Sequence, residues 1–86
     1  MTVVKLPRML SETVNVGESH SVAGDSVANA LEDLFVRVPG VRNHVLDDSG
    51  EIRPHVSIFV DGVQADLGTD LSEDSEVRIL HAVSGG

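Results

Sequence analysis

The sequence predicts an α+β fold: a mixed sheet of about four to five strands wrapped around one main helix. Two patterns carry this expectation. Short β-branched runs with period-two alternation stand toward both ends of the chain, and a single amphipathic segment of helical period lies between them. Size is the third observation. At 86 residues the chain makes one domain, residues 1–86, and a domain this small buries only about 60% of its unfolded surface. Apolar residues make up 41% of it and cysteine is absent. The core is therefore thin, with neither disulfides nor a thiolate metal site to supplement it.

Each element follows from local chemistry. "TVVKL" is short and β-branched, as a first strand requires. "ETVNV" and "HSVAG" flank Gly17, so a second strand is expected after a turn, around residues 13–22, in a region otherwise rich in turn formers. In "GDSVANALEDLFVRVPG", Val27, Leu31, Leu34, Phe35 and Val38 recur at helical spacing. Asp25 or Ser26 is placed to cap the first turn, and Pro39-Gly40 to end the helix. Asn29, Glu32, Asp33 and Arg37 form its polar side, as expected of a helix lying on a sheet.

The stretch "VRNHVLDDSGEIR" reads as irregular. In "PHVSIFVDG", Val56, Ile58 and Val60 alternate with Ser57 and Phe59, which gives a strand with one face inward. Asp61-Gly62 is a hairpin signal leading to a short strand near Val63–Leu67. After the turn-rich "GTDLSEDS", the strand "EVRILHAV" turns Val77 and Ile79 toward the helix and Arg78 and Leu80 away from it. Two strands, a helix and further strands in so short a chain fit the β-grasp arrangement. One helix covers one sheet face, so the other is open to partners.

Charge and residue usage narrow the function. Fourteen acids against six bases give −8 at pH 7. No basic patch stands ready to neutralise phosphates, and Phe35 and Phe59 are the only aromatics, so nucleic acid is not an expected partner. The acidity fits a solubilising surface or steering toward a basic partner. No apolar run has the length of a membrane span and "MTVVKLPRML" lacks a signal-peptide layout, so no membrane partner and a cytoplasmic location are expected.

Catalysis by this chain alone is not expected. His20, His44, His55 and His81 are too scattered for a metal site. Glu32-Asp33 and Asp47-Asp48 read as solvated acids, and Ser84 has no base placed for it. The apolar Leu80, with Phe59 on the same face by parity and Val3 beside them, forms a candidate docking patch just before a terminal Gly85-Gly86.

The second half carries a resemblance. Val56-Ser57-Ile58-Phe59-Val60-Asp61, the acidic Glu73-Asp74-Ser75-Glu76, then Val77-Arg78-Ile79 and finally Val83-Ser84-Gly85-Gly86 stand in order and at the right spacing. Together they resemble the ThiS/MoaD-type ubiquitin-like sulfur carriers, a group that includes the small subunit of molybdopterin synthase, the thiamine-pathway carrier and CysO. The helix "GDSVANALEDL" and the connection "LDDSGEIRPH" extend the likeness over nearly the whole chain. His81 stands where many relatives have proline, and Lys5 replaces an apolar residue on the outer side of the first strand.

The resemblance implies that an ATP-dependent ubiquitin-activating-type enzyme adenylates the Gly86 carboxylate. Sulfur then replaces AMP to leave a thiocarboxylate, which donates its sulfur to an acceptor biosynthetic enzyme. No cofactor is expected to bind stably: ATP belongs to the activating enzyme, and the sulfur is cargo on the chain end. The protein is thus expected to be a co-substrate or the small subunit of a synthase. Residues 83–86 are expected to form a flexible tail, with Val83, Ser84 and Gly85 threading into the partner, because glycine reaches backbone angles closed to other residues. Ordering such a tail costs about 1–2 kcal/mol per residue, which favours release between successive enzymes. Two other readings remain open: a modifier conjugated through Gly86 to lysines, with Lys5 its only own lysine, and a β-grasp interaction module whose tail has no chemistry.

Overall fold

The computed structural model describes residues 2–81. Five strands, β1 (Thr2–Lys5), β2 (Ser19–Val22), β3 (Val56–Val60), β4 (Val63–Ala65) and β5 (Glu76–His81), form one sheet in the order β2-β1-β5-β3-β4. The central pair β1/β5 is parallel, and the other pairs are antiparallel. Three helices accompany the sheet: α1 (Arg8–Thr13), α2 (Val27–Arg37) and α3 (Arg42–Val45), with a 3-10 turn at Pro39–Val41 between the last two.

The core sits between α2 and one sheet face. Val4, Val22, Ile58, Val77 and Ile79 from the strands meet Val27, Ala30, Leu31, Leu34 and Phe35 from α2, all buried. The helical spacing read in the sequence is thus the packed stripe of α2. Its first turn is capped by Ser26, whose hydroxyl accepts from the Asn29 N–H at 3.2 Å. Helical geometry ends at Arg37, ahead of Pro39.

Close approach fixes how α2 enters the sheet. A Cβ on Gly24 would lie 2.5 Å from the Ala30 backbone nitrogen, so only glycine lets the end of β2 press against the helix. The Ala23 N–H donates to Asp33 Oδ2 at 2.9 Å and ties the same corner from the other side.

Three stretches depart from the sequence-based reading. A helix occupies Arg8–Thr13, and β2 begins only at Ser19, not near residue 13. Pro7 presets the helix entry with φ −65°, while Leu6 and Leu10 bury one turn apart. Asn15, at φ +57°, turns the chain out, and Val14 and Val16 pack against the core instead of pairing in a strand.

The stretch after α2 is helical up to Val45 and irregular only beyond it. Val41 and Val45, four residues apart and fully buried, seat the 3-10 turn and α3 against the core. Arg53 Nε then donates to the Asn43 carbonyl at 2.6 Å, fastening the connection that follows.

The expected strand near residues 63–67 is shorter, ending at Ala65. Its hairpin turn has Asp61 at φ +49° and Gly62 at φ +87°, the pair of left-handed residues that a two-residue turn between twisted strands demands.

Candidate functional site

Strand parity divides the sheet into two chemically distinct surfaces. On the side away from α2 stand Val3 and Lys5 of β1, Glu76, Arg78 and Leu80 of β5, and Ser57 and Phe59 of β3. Leu80 is 42% exposed, four residues from the first residue of β5 and close to the chain end. Register sets its neighbours: Leu80 is opposite Ser57, and Phe59 is opposite Arg78. Leu80 and Phe59 are therefore diagonal neighbours across β5 and β3, about 7–8 Å apart by strand geometry. Val3 pairs with Glu76 instead, so the Lys5–Arg78 row lies between it and Leu80. The structure brings two of the three patch residues together and leaves Val3 apart. Val83, Ser84, Gly85 and Gly86 lie outside the described residues.

That intervening row is charged. Lys5 and Arg78 are directly opposite each other in the parallel pair, and one oxygen, Glu76 Oε1, serves both. It lies 3.5 Å from Lys5 Nζ and 3.6 Å from Arg78 Nη2. The sequence reading singled out Lys5 on this face but not Glu76 as its partner. The signal was present in the spacing Glu76-Val77-Arg78-Ile79-Leu80, which puts both charges and the apolar residue on one side of a strand.

The remaining candidates sort differently. His81, opposite Val56 on the helix side, packs edge-on against His55 with ring centroids 4.6 Å apart. Its Nδ1 is buried without a hydrogen-bond partner among the described residues. Beside it lies a pocket of about 220 Å³ walled by Met9, Leu10, Thr13 and His44. At the opposite end of the sheet a second pocket of about 230 Å³ lies among Thr2, Gly24 and Glu73. His20 Nε2 is 2.6 Å from the Gly17 carbonyl. Among the described residues no three His, Asp or Glu side chains are grouped to hold a metal ion.

Asp33 is engaged with the Ala23 N–H and with Arg37, 3.3 Å away. Asp47 organises its own loop: Oδ1 accepts from the Ser49 hydroxyl and from the Ser49 and Glu51 N–H groups. The Ser49 hydroxyl, followed by the Glu51 N–H, holds this carboxyl below the usual range. These acids hold the structure together.

Comparison with known proteins places the fold in context. Small archaeal modifier protein 1 of Haloferax volcanii is 34% identical over 77 residues, spanning 88% of this chain and 84% of that protein. Its crystal structure superposes with a TM-score of 0.83 at 30% identity, covering 99% of this chain and 98% of the other. Sulfur carrier protein CysO of Mycobacterium tuberculosis is 28% identical over 89 residues, 96% of each chain. The crystal structure of that CysO matches with a TM-score of 0.86 at 26% identity, covering 96% of this chain and 100% of the other. A chain of the Amycolatopsis orientalis BexX/CysO complex shares the fold at 19% identity, with a TM-score of 0.89 over 100% of both chains. No family model matches the sequence. Among the described residues no helix is long and apolar enough to cross a membrane. With a relative above 30% identity across most of its length, and that relative's structure superposing over nearly the whole chain, the chain belongs to the ubiquitin-like sulfur carrier and modifier proteins of the ThiS/MoaD type.

Proposed function

We propose that the protein carries sulfur as a thiocarboxylate on Gly86, in the cytoplasm, between an ATP-dependent activating enzyme and an acceptor enzyme of biosynthesis. The observation that supports this most is end-to-end similarity to a named sulfur carrier, CysO, over 96% of each chain, combined with the Val83-Ser84-Gly85-Gly86 ending.

A carboxylate resists attack because it offers no adequate leaving group. ATP supplies one: the Gly86 carboxylate attacks the α-phosphorus, pyrophosphate leaves, and an acyl-adenylate forms. A sulfur donor displaces AMP to give the thiocarboxylate, and sulfur transfer to the acceptor with water returns the carboxylate. The chain supplies no catalytic group to these steps. It presents the end, and its outer sheet face, with Leu80 and Phe59 near the exit of β5, docks on the enzyme that acts on that end. Val83, Ser84 and Gly85 reach into the partner's channel.

Deleting Gly86, or capping its carboxylate as an amide, is expected to abolish ATP–pyrophosphate exchange by the activating enzyme while leaving the circular dichroism spectrum unchanged. An amidated protein that still formed an acyl-adenylate would overturn the proposal.

A second reading has its own support, since the 34%-identical relative is named a modifier. In that reading Gly86 ends as an isopeptide on a lysine of another protein. The activation step is common to both, and only the fate of Gly86 separates them.

A further inference from the structure

The charge of this protein is distributed against its sheet. The whole chain is −8, yet Glu76 is the only acid within the five strands, where it accompanies Lys5 and Arg78 on the outer face. Within the strands the face with Leu80 and Phe59 thus carries two cations to one anion; Asp61, in the β3–β4 turn, accepts from the Glu76 N–H at 2.9 Å, and the other twelve acids lie in helices, turns and loops. Like charges directly across a strand pair are unfavourable, and Lys5 and Arg78 stand in that relation. Their relief is a single carboxylate oxygen, Glu76 Oε1, at 3.5 and 3.6 Å.

That relief is incomplete. Both contacts are long for charge-assisted hydrogen bonds, which run at about 2.7–2.9 Å. The side chains keep 40% (Lys5), 39% (Glu76) and 50% (Arg78) of their exposure. Ion pairs this exposed contribute little to stability. What the trio does is hold two cationic heads on one surface, with Phe59 beside Arg78 and Leu80 one residue pair nearer the tail.

We infer that this trio is an ionic docking point, and that the activating enzyme meets it with a carboxylate of its own. The incoming carboxylate competes with Glu76 for Lys5 and Arg78 while an apolar surface covers Leu80 and Phe59. Arg78 presents a fork suited to a carboxylate, and desolvation by the apolar contacts strengthens the pair. The acidic remainder of the chain is repelled by the same partner surface, so the charge pattern favours approach by this face alone. Glu76 acts as an internal competitor that holds affinity down, as a shuttle that must leave its enzyme requires. The inference rests on the carrier reading for the identity of the partner, and it assigns that partner's chemistry.

The test measures adenylation kinetics with the purified activating enzyme at saturating ATP, varying the concentration of this protein. Arg78→Gln and Lys5→Gln are expected to raise KM roughly tenfold each with kcat within about twofold, since truncating a docking charge weakens encounter and leaves the Gly86 chemistry intact. The charge reversals Arg78→Glu and Lys5→Glu are expected to act in the same direction and more strongly, with thermal unfolding recorded to confirm folding. The discriminating variant is Glu76→Gln. A merely structural trio would leave KM unchanged or raise it, whereas removal of an internal competitor lowers KM about two- to fivefold. Raising salt from about 0.05 to 0.5 M shortens the screening length severalfold and is expected to raise the wild-type KM more than that of Arg78→Gln. Unchanged KM in Arg78→Gln and Lys5→Gln, or an unchanged or raised KM in Glu76→Gln, would overturn this inference while leaving the carrier reading standing. No adenylation of the wild-type protein would overturn both.

Discussion

The two faces of the sheet are built from the same strands and answer to different demands. On the inner face Val4, Val22 and Val77 are fully buried and Ile58 and Ile79 are 1% exposed, all packed under α2. One residue along, on the outer face, Leu80 is 42% exposed and Lys5, Glu76 and Arg78 remain half in solvent. Burial of a full aliphatic side chain is worth about 1.5–3 kcal/mol, so the inner residues carry the fold. The outer residues add little to stability and are free to encode a partner. A one-residue slip of β5 would exchange the two roles, which is why the alternation in "EVRILH" fixes both core and outer face at once.

The largest expected effect sharpens the inner half of this contrast. Ile79→Ala removes a core side chain between β5 and α2 and is expected to cost about 2–4 kcal/mol. For a domain this small that lowers the melting temperature by roughly 10–20 °C, read by circular dichroism. A loss under about 0.5 kcal/mol would show that the inner face is not the stabilising one. Leu80→Asp, one residue away, is expected to stay within about 0.5 kcal/mol of wild type. Its binding to the activating enzyme should fall by tenfold or more, because an unpaired carboxylate would be buried at the contact. An unfolded Leu80→Asp variant would place Leu80 in the core and break the comparison outright.

The smallest expected effect lies away from both faces. Asp47 is held below its ordinary value of 3.8, chiefly by the Ser49 hydroxyl and then the Glu51 N–H. A carboxyl with a depressed folded value contributes stability that is fully present above the unfolded value. That contribution is lost as pH falls through the folded one. Acid unfolding of Asp47→Asn is therefore expected to lack a small destabilisation that wild type shows below about pH 4. Identical acid profiles would remove Asp47 as an anchor of its loop.

How much of this was legible in the sequence depended on length and period. α2, from Val27 to Arg37, spans three turns, and the alternation in β3 and β5 spans five and six residues, long enough for the pattern to declare itself. α1 has six residues and α3 only four, so each shows a single repeat: Leu6 with Leu10, and Val41 with Val45. One such pair is indistinguishable from chance until tertiary burial selects it. On the site, parity correctly set Leu80 and Phe59 on the outer face, but the pairing of β5 beside β1, in parallel register, put the Lys5–Arg78 row between Val3 and Leu80. Strand order is a long-range property, and no local pattern near Val3 records that β5 inserts between β1 and β3.

The central claim concerns the Gly86 carboxylate, and intact-protein mass spectrometry tests it most directly. Incubated with its activating enzyme, ATP and a sulfur donor, the protein is expected to gain the mass of one oxygen-to-sulfur exchange located at Gly86. The product should then react with a thiol-selective alkylating reagent. The background is clean, because the chain has no cysteine and its only native sulfur atoms are in Met1 and Met9. On addition of the acceptor enzyme and its substrate the protein should return to its original mass, as a regenerated carrier does. Stable lysine isopeptides of Gly86, with no sulfur passed to any small molecule, would contradict the carrier account and establish the modifier in its place.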